Sequence, residues 1–354
     1  MNWFINTEVT RNMENKFKEV VNLPTCMPMF TTYNYKGAAG IAATPNKSFE
    51  NWLYNNSVTL SCNRKFLEGY TTPEVDVPHA DVVETDKFEQ LLCNVRFIRE
   101  NIHDKIKEMI RESYYIYFTD FDDYYIKGKS NYRKRHMLHD GLICGYDDKE
   151  ETYKIAAYNE EWVFNIFDTP QKGIEDAMCS QVDGKEIYGQ LNALKVDDKE
   201  IKLDIRRIKD WLTPYLASNL RNTPVCPGDN AVGIVVHDFI GMYLDKILDG
   251  TIPYERIDRR VFRMLWEHKE CMMKRIRKVE DKYGLNHDLS DKYKVIVSES
   301  NKMRVMYTKY YIKRNDQLLE IIKDKLRFIK RKEKTLLNNF MEIIDFLMEN
   351  RKEV

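Results

Sequence analysis

The sequence predicts an α+β fold, and three features indicate it. Apolar residues recur at helical spacing over residues 86–112, strand-like segments follow between residues 114 and 167, and the chain after Ile257 has helical periodicity almost throughout. Hydrophobic residues make up 43% of the 354 positions, which argues against wholesale disorder. At about 100–200 residues per domain, we expect two domains, residues 1–195 and residues 196–354.

The N-terminal helices come first in the chain. A short helix is predicted over residues 12–21, and it ends before Pro24 because proline disfavours helix for the residue that precedes it. A second helix is predicted to begin at Cys26, with Pro28 in its first turn, where proline is tolerated. With the helix at residues 86–112, these segments form a helical layer.

The predicted sheet is antiparallel. Its strands cover residues 114–118, 138–146, 152–158 and 162–167, and the polar turn at residues 147–150 joins the second and third strands as a hairpin. The C-terminal part is predicted to be helical, with helices at residues 205–216 and 235–248. Two apolar stripes follow, from Val261 to Val279 and from Ile322 to Leu347, and Glu333 interrupts the second. They indicate an antiparallel bundle or a short coiled coil, which could also form a homodimer.

Charge and cysteine content limit the class of protein. Residues 251–354 contain 26 Lys and Arg against 17 Asp and Glu, whereas residues 1–250 contain 30 against 39, so the two parts could attract different partners. Solvated helical faces are the alternative explanation, and they are favoured over nucleic-acid binding. Seven cysteines without a CxxC pair indicate reduced thiols and a cytoplasmic location. No apolar run of about 18 residues is present, so we expect no transmembrane helix.

Two residues are the main candidates for chemistry. Cys26 lies at a predicted helix start, where unpaired N–H groups and the helix dipole favour a thiolate. His139 opens the strand at residues 138–146 and is a candidate general base for that thiol. A structural cysteine and a structural histidine are the alternative interpretations of each residue.

A third residue should orient the imidazole ring. If the hairpin turn centres near residues 148–149, Asn159 lies across from His139, and Asp122 and Asp123 in the preceding segment are the alternatives. Cys62 is a reserve nucleophile, also at a predicted helix start. No histidine or cysteine spacing indicates a metal site.

The order of cysteine, histidine strand, turn and strand resembles the papain-like peptidases of the bacteriocin-processing branch. Residues 114–159, residues 257–283 with Glu267-His268-Lys269, and residues 303–315 resemble the BtrH-like family of butirosin biosynthesis. This resemblance covers about residues 20–340. The composition and the Cys–His context are also similar to those of the amide-forming enzymes of closthioamide (polythioamide) biosynthesis.

The resemblance implies a papain-like fold and acyl transfer. An acyl group would pass from the phosphopantetheine thioester of an acyl or peptidyl carrier protein to Cys26, and then to a small amine, with His139 as general base and no other cofactor. The family usually has an aspartate at the end of the strand after the turn, where this chain has Ala156-Ala157. Asn159 would then complete a Cys-His-Asn set.

Further roles are expected around this set. The N–H of Cys26 and the side chain of Asn22 are the candidate oxyanion donors. Tyr33, Tyr35 and Tyr54 are candidates for an acyl pocket, with an ordinary core as the alternative. The helical C-terminal part is expected to cover the site and to dock an acidic carrier. A thioesterase or peptidase with the same residues, and a non-enzymatic helical interaction protein, are the alternative functions.

Overall fold

The computed structural model of this chain describes residues 19–69, 71–78, 88–182, 185–197, 199–218 and 230–350. The chain divides into two compact units. We call them the sheet unit (Met1–Lys47 and Val82–Lys199) and the helical unit (Ser48–Asp81 and Glu200–Val354). The predicted boundary after residue 195 lies close to the division at residue 199, but residues 48–81 belong to the helical unit, whose segments are therefore discontinuous in sequence.

The strands and helices are numbered in chain order. The strands are β1 (Val20–Asn22), β2 (Ser61–Asn63), β3 (Phe88–Asn94), β4 (Tyr115–Asp122), β5 (Leu138–Asp147), β6 (Thr152–Tyr158), β7 (Phe164–Pro170), β8 (Cys179–Val182), β9 (Lys185–Tyr188), β10 (Gln190–Val196) and β11 (Asn230–Val232). The α-helices are α1 (Asn34–Ala43), α2 (Phe49–Asn56), α3 (Ile102–Arg111), α4 (Gln171–Ala177), α5 (Ile205–Ala217), α6 (Val236–Leu248), α7 (Val261–Tyr283), α8 (Asp288–Lys313) and α9 (Gln317–Asn350).

The sheet unit is built on one antiparallel sheet with the strand order β3-β10-β4-β5-β6-β7. Strand β1 also pairs with β5, at residues 145–147, beyond the point where β4 stops pairing. The hairpin of β5 and β6 places Asp147 opposite Thr152, as the polar turn predicts. Helix α3 and the sheet share one apolar core, in which Ile106 of the helix packs with Ile143 and Ile155 of the sheet.

Helix α1 packs against β5 and β6. Leu142 and Ala156 form a buried pair on these strands and alternate with Ile143 and Ile155, so they point to the opposite face from the α3 core. Alanine and glycine dominate this helix, which lets its backbone lie close to its neighbours. A Cβ atom on Gly37 would come within 2.6 Å of the Phe164 ring of β7.

The helical unit contains α2, the two-stranded antiparallel sheet of β2 and β11, and α5–α9. Helix α8 packs against both α7 and α9, and α9 also packs against α5 and α6. The predicted stripe from Val261 to Val279 is buried, which confirms a bundle-like core. Glu333, which interrupts the second stripe, is itself fully buried because it forms an ion pair with Lys269.

The mixed α+β architecture, with its antiparallel sheet and C-terminal helices, agrees with the prediction, but the three N-terminal helix predictions differ from the structure over all or part of their described residues. Residues 12–18 lie outside the described part of the chain, and residues 20–22 form strand β1. The helix predicted to begin at Cys26 begins at Asn34, eight residues later. The third helix was predicted at residues 86–112, of which 88–112 are described; in these, only Ile102–Arg111 is α-helical, and Phe88–Asn94 is a strand that pairs along its length with β10.

Candidate functional site

His139 and Asp123 form the central contact of the sheet unit. The Nδ1 atom of His139 lies 3.2 Å from Oδ2 of Asp123. The Asp123 side chain is 2% exposed and that of His139 is 30% exposed, so a buried carboxylate holds a partly exposed ring. A carboxylate only accepts hydrogen bonds, so Nδ1 carries the proton of the neutral ring and Nε2 has a lone pair.

Lys129 compensates the charge of Asp123. Its Nζ atom lies 3.2 Å from Asp123 Oδ1, and its side chain is 1% exposed. Burial alone would raise the pKa of Asp123, but the hydrogen bond from His139 and the Lys129 ammonium together lower it below its ordinary value. Asp123 therefore stays ionised and can stabilise an imidazolium.

Asp140 follows His139 in the sequence, and hydrogen bonds hold its carboxylate in place. Its Oδ1 accepts a hydrogen bond of 2.7 Å from Asn34 Nδ2, and its Oδ2 accepts one of 2.8 Å from the Tyr117 hydroxyl. Lys129 Nζ donates to the main-chain oxygen of Asp140 at 3.1 Å. Since Asn34 is the first residue of α1, these contacts place the start of the helix beside the start of β5.

A second histidine–aspartate pair involves the neighbouring residues. Asp122 Oδ2 lies 2.7 Å from His136 Nδ1, and the His136 ring stacks on Tyr124 with 4.2 Å between ring centroids. Asp122 is thus the partner of His136, and Asp123 is the partner of His139. Of the two aspartates that the sequence leaves open as the third member, the structure brings Asp123 to the ring.

Cys26 lies elsewhere in the sheet unit. It is exposed, in an extended segment between β1 and α1 rather than at a helix start. Leu23 N donates to Cys144 O, and Pro28 packs against Gly40 in the second half of α1. These neighbours lie along the middle of β5 and α1, whereas His139 lies near the first residues of both elements. Cys26 and His139 are not joined by any contact described in the structure.

Asn159 has another role in the structure. Its Oδ1 accepts hydrogen bonds from Glu161 N at 3.0 Å and Val163 N at 2.9 Å, so it closes the turn between β6 and β7. Asn22 pairs with Gly145, six residues along β5 from His139, which is about 20 Å at 3.3 Å per strand residue. Within the described ranges, no hydrogen bond joins either side chain to His139.

Of the three candidate pocket tyrosines, two belong to the sheet unit and one to the helical unit. Tyr33 and Tyr35 stack at 5.7 Å between ring centroids at the start of α1. Tyr54 belongs to α2 of the helical unit and is buried there. Cys62 lies in strand β2, two residues before a short 3-10 helix that begins at Arg64, and burial raises the pKa of its thiol to about 12, which makes it a poor nucleophile.

Four residues of the site were not predicted from the sequence: Lys129, Asp140, Asn34 and Tyr117. The signal for Asp140 was its position directly after His139. Lys129 and Asn34 carried no local signal, because a loop lysine and a helix-start asparagine are common surface residues. Their contacts depend on how α1 and the β4–β5 loop fold over the sheet.

The described ranges contain neither a side-chain cluster suited to a metal ion nor a helix suited to cross a membrane. Within those ranges, no three or more His, Cys, Asp or Glu side chains are grouped so that they could hold a metal ion. No helix in the same ranges has the length and apolar character needed to cross a membrane.

Comparison of the sequence with protein-family models and with curated protein sequences finds no match. The BtrH-like resemblance therefore stays a resemblance, and the site geometry has to support any function by itself.

Proposed function

We propose that the sheet unit is the catalytic part of an acyltransferase, in which His139 is the general base and Asp123 orients it. The observation that supports this is the His139–Asp123 contact of 3.2 Å between a partly exposed ring and a buried carboxylate. This is the base-and-orienter half of a catalytic triad. The resemblance to BtrH-like enzymes supplies the substrate classes, a carrier-bound thioester and an amine that becomes an amide.

The simplest reaction with these residues needs no covalent enzyme intermediate. A neutral amine attacks the thioester carbonyl, and the C–N bond forms while His139 Nε2 takes a proton from the nitrogen. The C–S bond then breaks, and the imidazolium returns the proton to the departing thiolate. Asp123 stabilises the imidazolium between these two transfers.

A covalent route through Cys26 is the second version of the proposal. The exposure of Cys26 favours it, since an exposed thiol can meet a large thioester substrate. In this version the acyl group passes to Cys26 first, and the segment between β1 and α1 has to bring the thiol to His139. A thioesterase would use the same residues but pass the acyl group to water.

The test is intact-mass and product analysis with an acylated carrier protein, or an acyl-N-acetylcysteamine thioester, and an alkylamine. We expect amide to form, and we expect His139→Ala to lower the rate at least about 100-fold, the scale of losing a positioned acid–base group. His136→Ala is the matched control and should change the rate little, because His136 contacts Asp122 instead.

Four outcomes decide between the versions of the proposal or reject it. An acyl adduct on Cys26, together with loss of turnover in Cys26→Ala, selects the covalent route, whereas full activity of Cys26→Ala selects direct transfer. Free acid as the main product at millimolar amine would replace the transferase by a thioesterase. An unchanged rate in His139→Ala would reject the proposed base.

A further inference from the structure

The Asp140 carboxylate has a negative charge that no cationic side chain pairs with closely. In the described ranges, no lysine or arginine lies within ion-pair distance of its oxygens; Lys129 contacts the main-chain oxygen of Asp140 and the carboxylate of Asp123. Counting Asp123, Lys129, Asp140 and a neutral His139, the site has a net charge of about −1. The side chain of Asp140 is 17% exposed, so a ligand can reach it.

The spacing of Asp140 and His139 suits one shared donor. Nε2 of His139 lies 4.0 Å from Oδ1 of Asp140, which is too long for a direct hydrogen bond. A nitrogen atom placed between them can lie about 2.9 Å from both, the usual N–H···O distance. Both atoms are acceptors when the ring is neutral, so the space between them favours a donor.

A third acceptor lies on the side chain that fixes Asp140. Asn34 is 7% exposed, and its Oδ1 has no hydrogen-bond partner in the described part of the chain. Its Nδ2 donates to Asp140, so the amide orientation follows from the hydrogen-bond network. A site rich in acceptors and net negative favours a group with several N–H donors, and an alkylammonium ion has three.

We propose that Asp140 and His139 together form a binding site for the primary alkylammonium form of the acceptor amine. This inference rests on the proposed function for the role of the amine, and it names Asp140 as the residue that selects and positions it. An alkylamine is protonated at neutral pH, with a pKa near the value of about 10.4 for lysine, and the ammonium form cannot attack a carbonyl. Asp140 binds the cation, and His139 Nε2 removes one proton to release the neutral amine.

The protons balance over the reaction. The first proton leaves the ammonium through His139 to solvent. The amine nitrogen then forms the C–N bond, loses its second proton to His139 as the C–S bond breaks, and that proton passes to the thiolate. The products are the amide, the thiol and one released proton.

The test is equilibrium binding of butylammonium chloride to the full chain at pH 7, measured by calorimetry without any acyl donor. We expect Asp140→Asn to weaken binding at least about tenfold, because a charge-assisted hydrogen bond is lost. Asp120→Asn is the matched control. Asp120 is exposed on β4 with φ 59°, a conformation that asparagine accepts, and its substitution removes the same charge.

A second measurement uses the unaltered protein, in case Asp140→Asn folds poorly. Butylammonium should shift the NMR signals of the His139 ring, and 1-butanol, which has one donor and no charge, should not at the same concentration. Equal affinity of Asp140→Asn and the unaltered protein, or no binding of butylammonium at tens of millimolar, would overturn the inference. Binding that depends on Asp140 in a protein without acyl transfer would keep this site and reject the proposed function alone.

Discussion

At the scale of single residues, burial separates Cys26 from three other cysteines. Cys26 is exposed, whereas Cys62, Cys144 and Cys271 are at most 1% exposed. Burial also raises the pKa of the Cys62 and Cys144 thiols to about 12. Exposure and thiolate character together control the reaction of a thiol with an alkylating agent.

We therefore predict that iodoacetamide modifies Cys26 of the native protein at least about ten times faster than Cys62, Cys144 or Cys271. Peptide mapping by mass spectrometry after timed labelling measures these rates. Denatured protein is the control, in which the sites should react at similar rates. Fast labelling of Cys62 in the native state would contradict its placement in β2.

The sequence shows the two consecutive aspartates of the site but not their roles. Strand β4 ends at Asp122 and Asp123 follows it directly, so the two side chains point in different directions and each can meet a different histidine. Which histidine each one meets depends on the path of the loop from residue 123 to residue 136, and local patterns do not specify that path. The local pattern around Asn159 is ambiguous in a related way, because an asparagine that follows a strand also suits a turn, and Asn159 forms its hydrogen bonds within that turn.

At the scale of elements, two helical glycines give a matched comparison. A Cβ atom on Gly37 of α1 would lie 2.6 Å from the buried Phe164 ring, whereas a Cβ atom on Gly241 of α6 would meet nothing within 4 Å. Alanine at an open helical position stabilises by about 0.5–1 kcal/mol. Overpacking of a core costs about 1–3 kcal/mol.

Gly37→Ala should therefore lower the melting temperature, and Gly241→Ala should raise it slightly. Thermal unfolding followed by circular dichroism measures both. If Gly37→Ala were as stable as Gly241→Ala, the close contact between α1 and β7 would not be present in solution.

The buried ion pair of the helical unit joins α7 and α9. Lys269 Nζ lies 2.7 Å from Glu333 Oε2, and both side chains are 0% exposed. Tyr215 and Tyr293 also donate to Glu333, so the carboxylate is well satisfied. Removing one partner of such a pair leaves an uncompensated buried charge, which costs about 3–5 kcal/mol.

We predict that Lys269→Met and Glu333→Leu each destabilise the protein by about 3 kcal/mol or more, and that the double variant loses less than the sum of the two. Urea unfolding of the four proteins gives the coupling free energy. Additive losses would indicate that the two charges do not interact.

At the scale of the whole molecule, local patterns predicted the elements whose contacts are local. The β5–β6 hairpin and the C-terminal helices agree with the prediction because a turn or a long periodic stripe defines them within the sequence. Strand β3 was predicted as helix because the spacing of its apolar residues fits the period of a helix as well as that of a strand. Its partner strand β10 lies about a hundred residues later in the chain, so local sequence does not reveal the pairing. The same reason explains why residues 48–81 were assigned to the first domain.

Two buried histidines also affect the stability of the molecule. His237 Nδ1 lies 2.8 Å from the Ile234 main-chain oxygen, and its Nε2 lies 3.4 Å from Glu333 Oε2. Burial is the main cause that lowers the pKa of His237 to about 4, and Lys269 and Lys330 add to it while Glu333 opposes it. Burial likewise lowers the pKa of His268 well below its ordinary value.

These shifts make stability depend on pH with a definite sign. Between the folded pKa of about 4 and the ordinary value of 6.5, unfolded His237 binds a proton that the folded residue does not. Unfolding therefore takes up protons, and the free energy of unfolding falls as the pH falls through this window. The slope from one such group is at most about 1.4 kcal/mol per pH unit. Glu333, whose pKa is lowered to about 2, adds a further loss below its ordinary value of 4.5.

We predict that the free energy of unfolding decreases steadily from pH 7 to pH 5. Unfolding of His237→Asn should take up fewer protons, by up to one, so its free energy of unfolding should decrease less over this range. Asparagine keeps a donor for the Ile234 oxygen but cannot titrate. Urea unfolding followed by tryptophan fluorescence measures it, since Trp52, Trp211 and Trp266 belong to the helical unit. His287→Asn is the control, because it makes the same substitution at a side chain that is 45% exposed rather than buried. An equal slope for the unaltered protein and His237→Asn would mean that His237 is not buried in its neutral form.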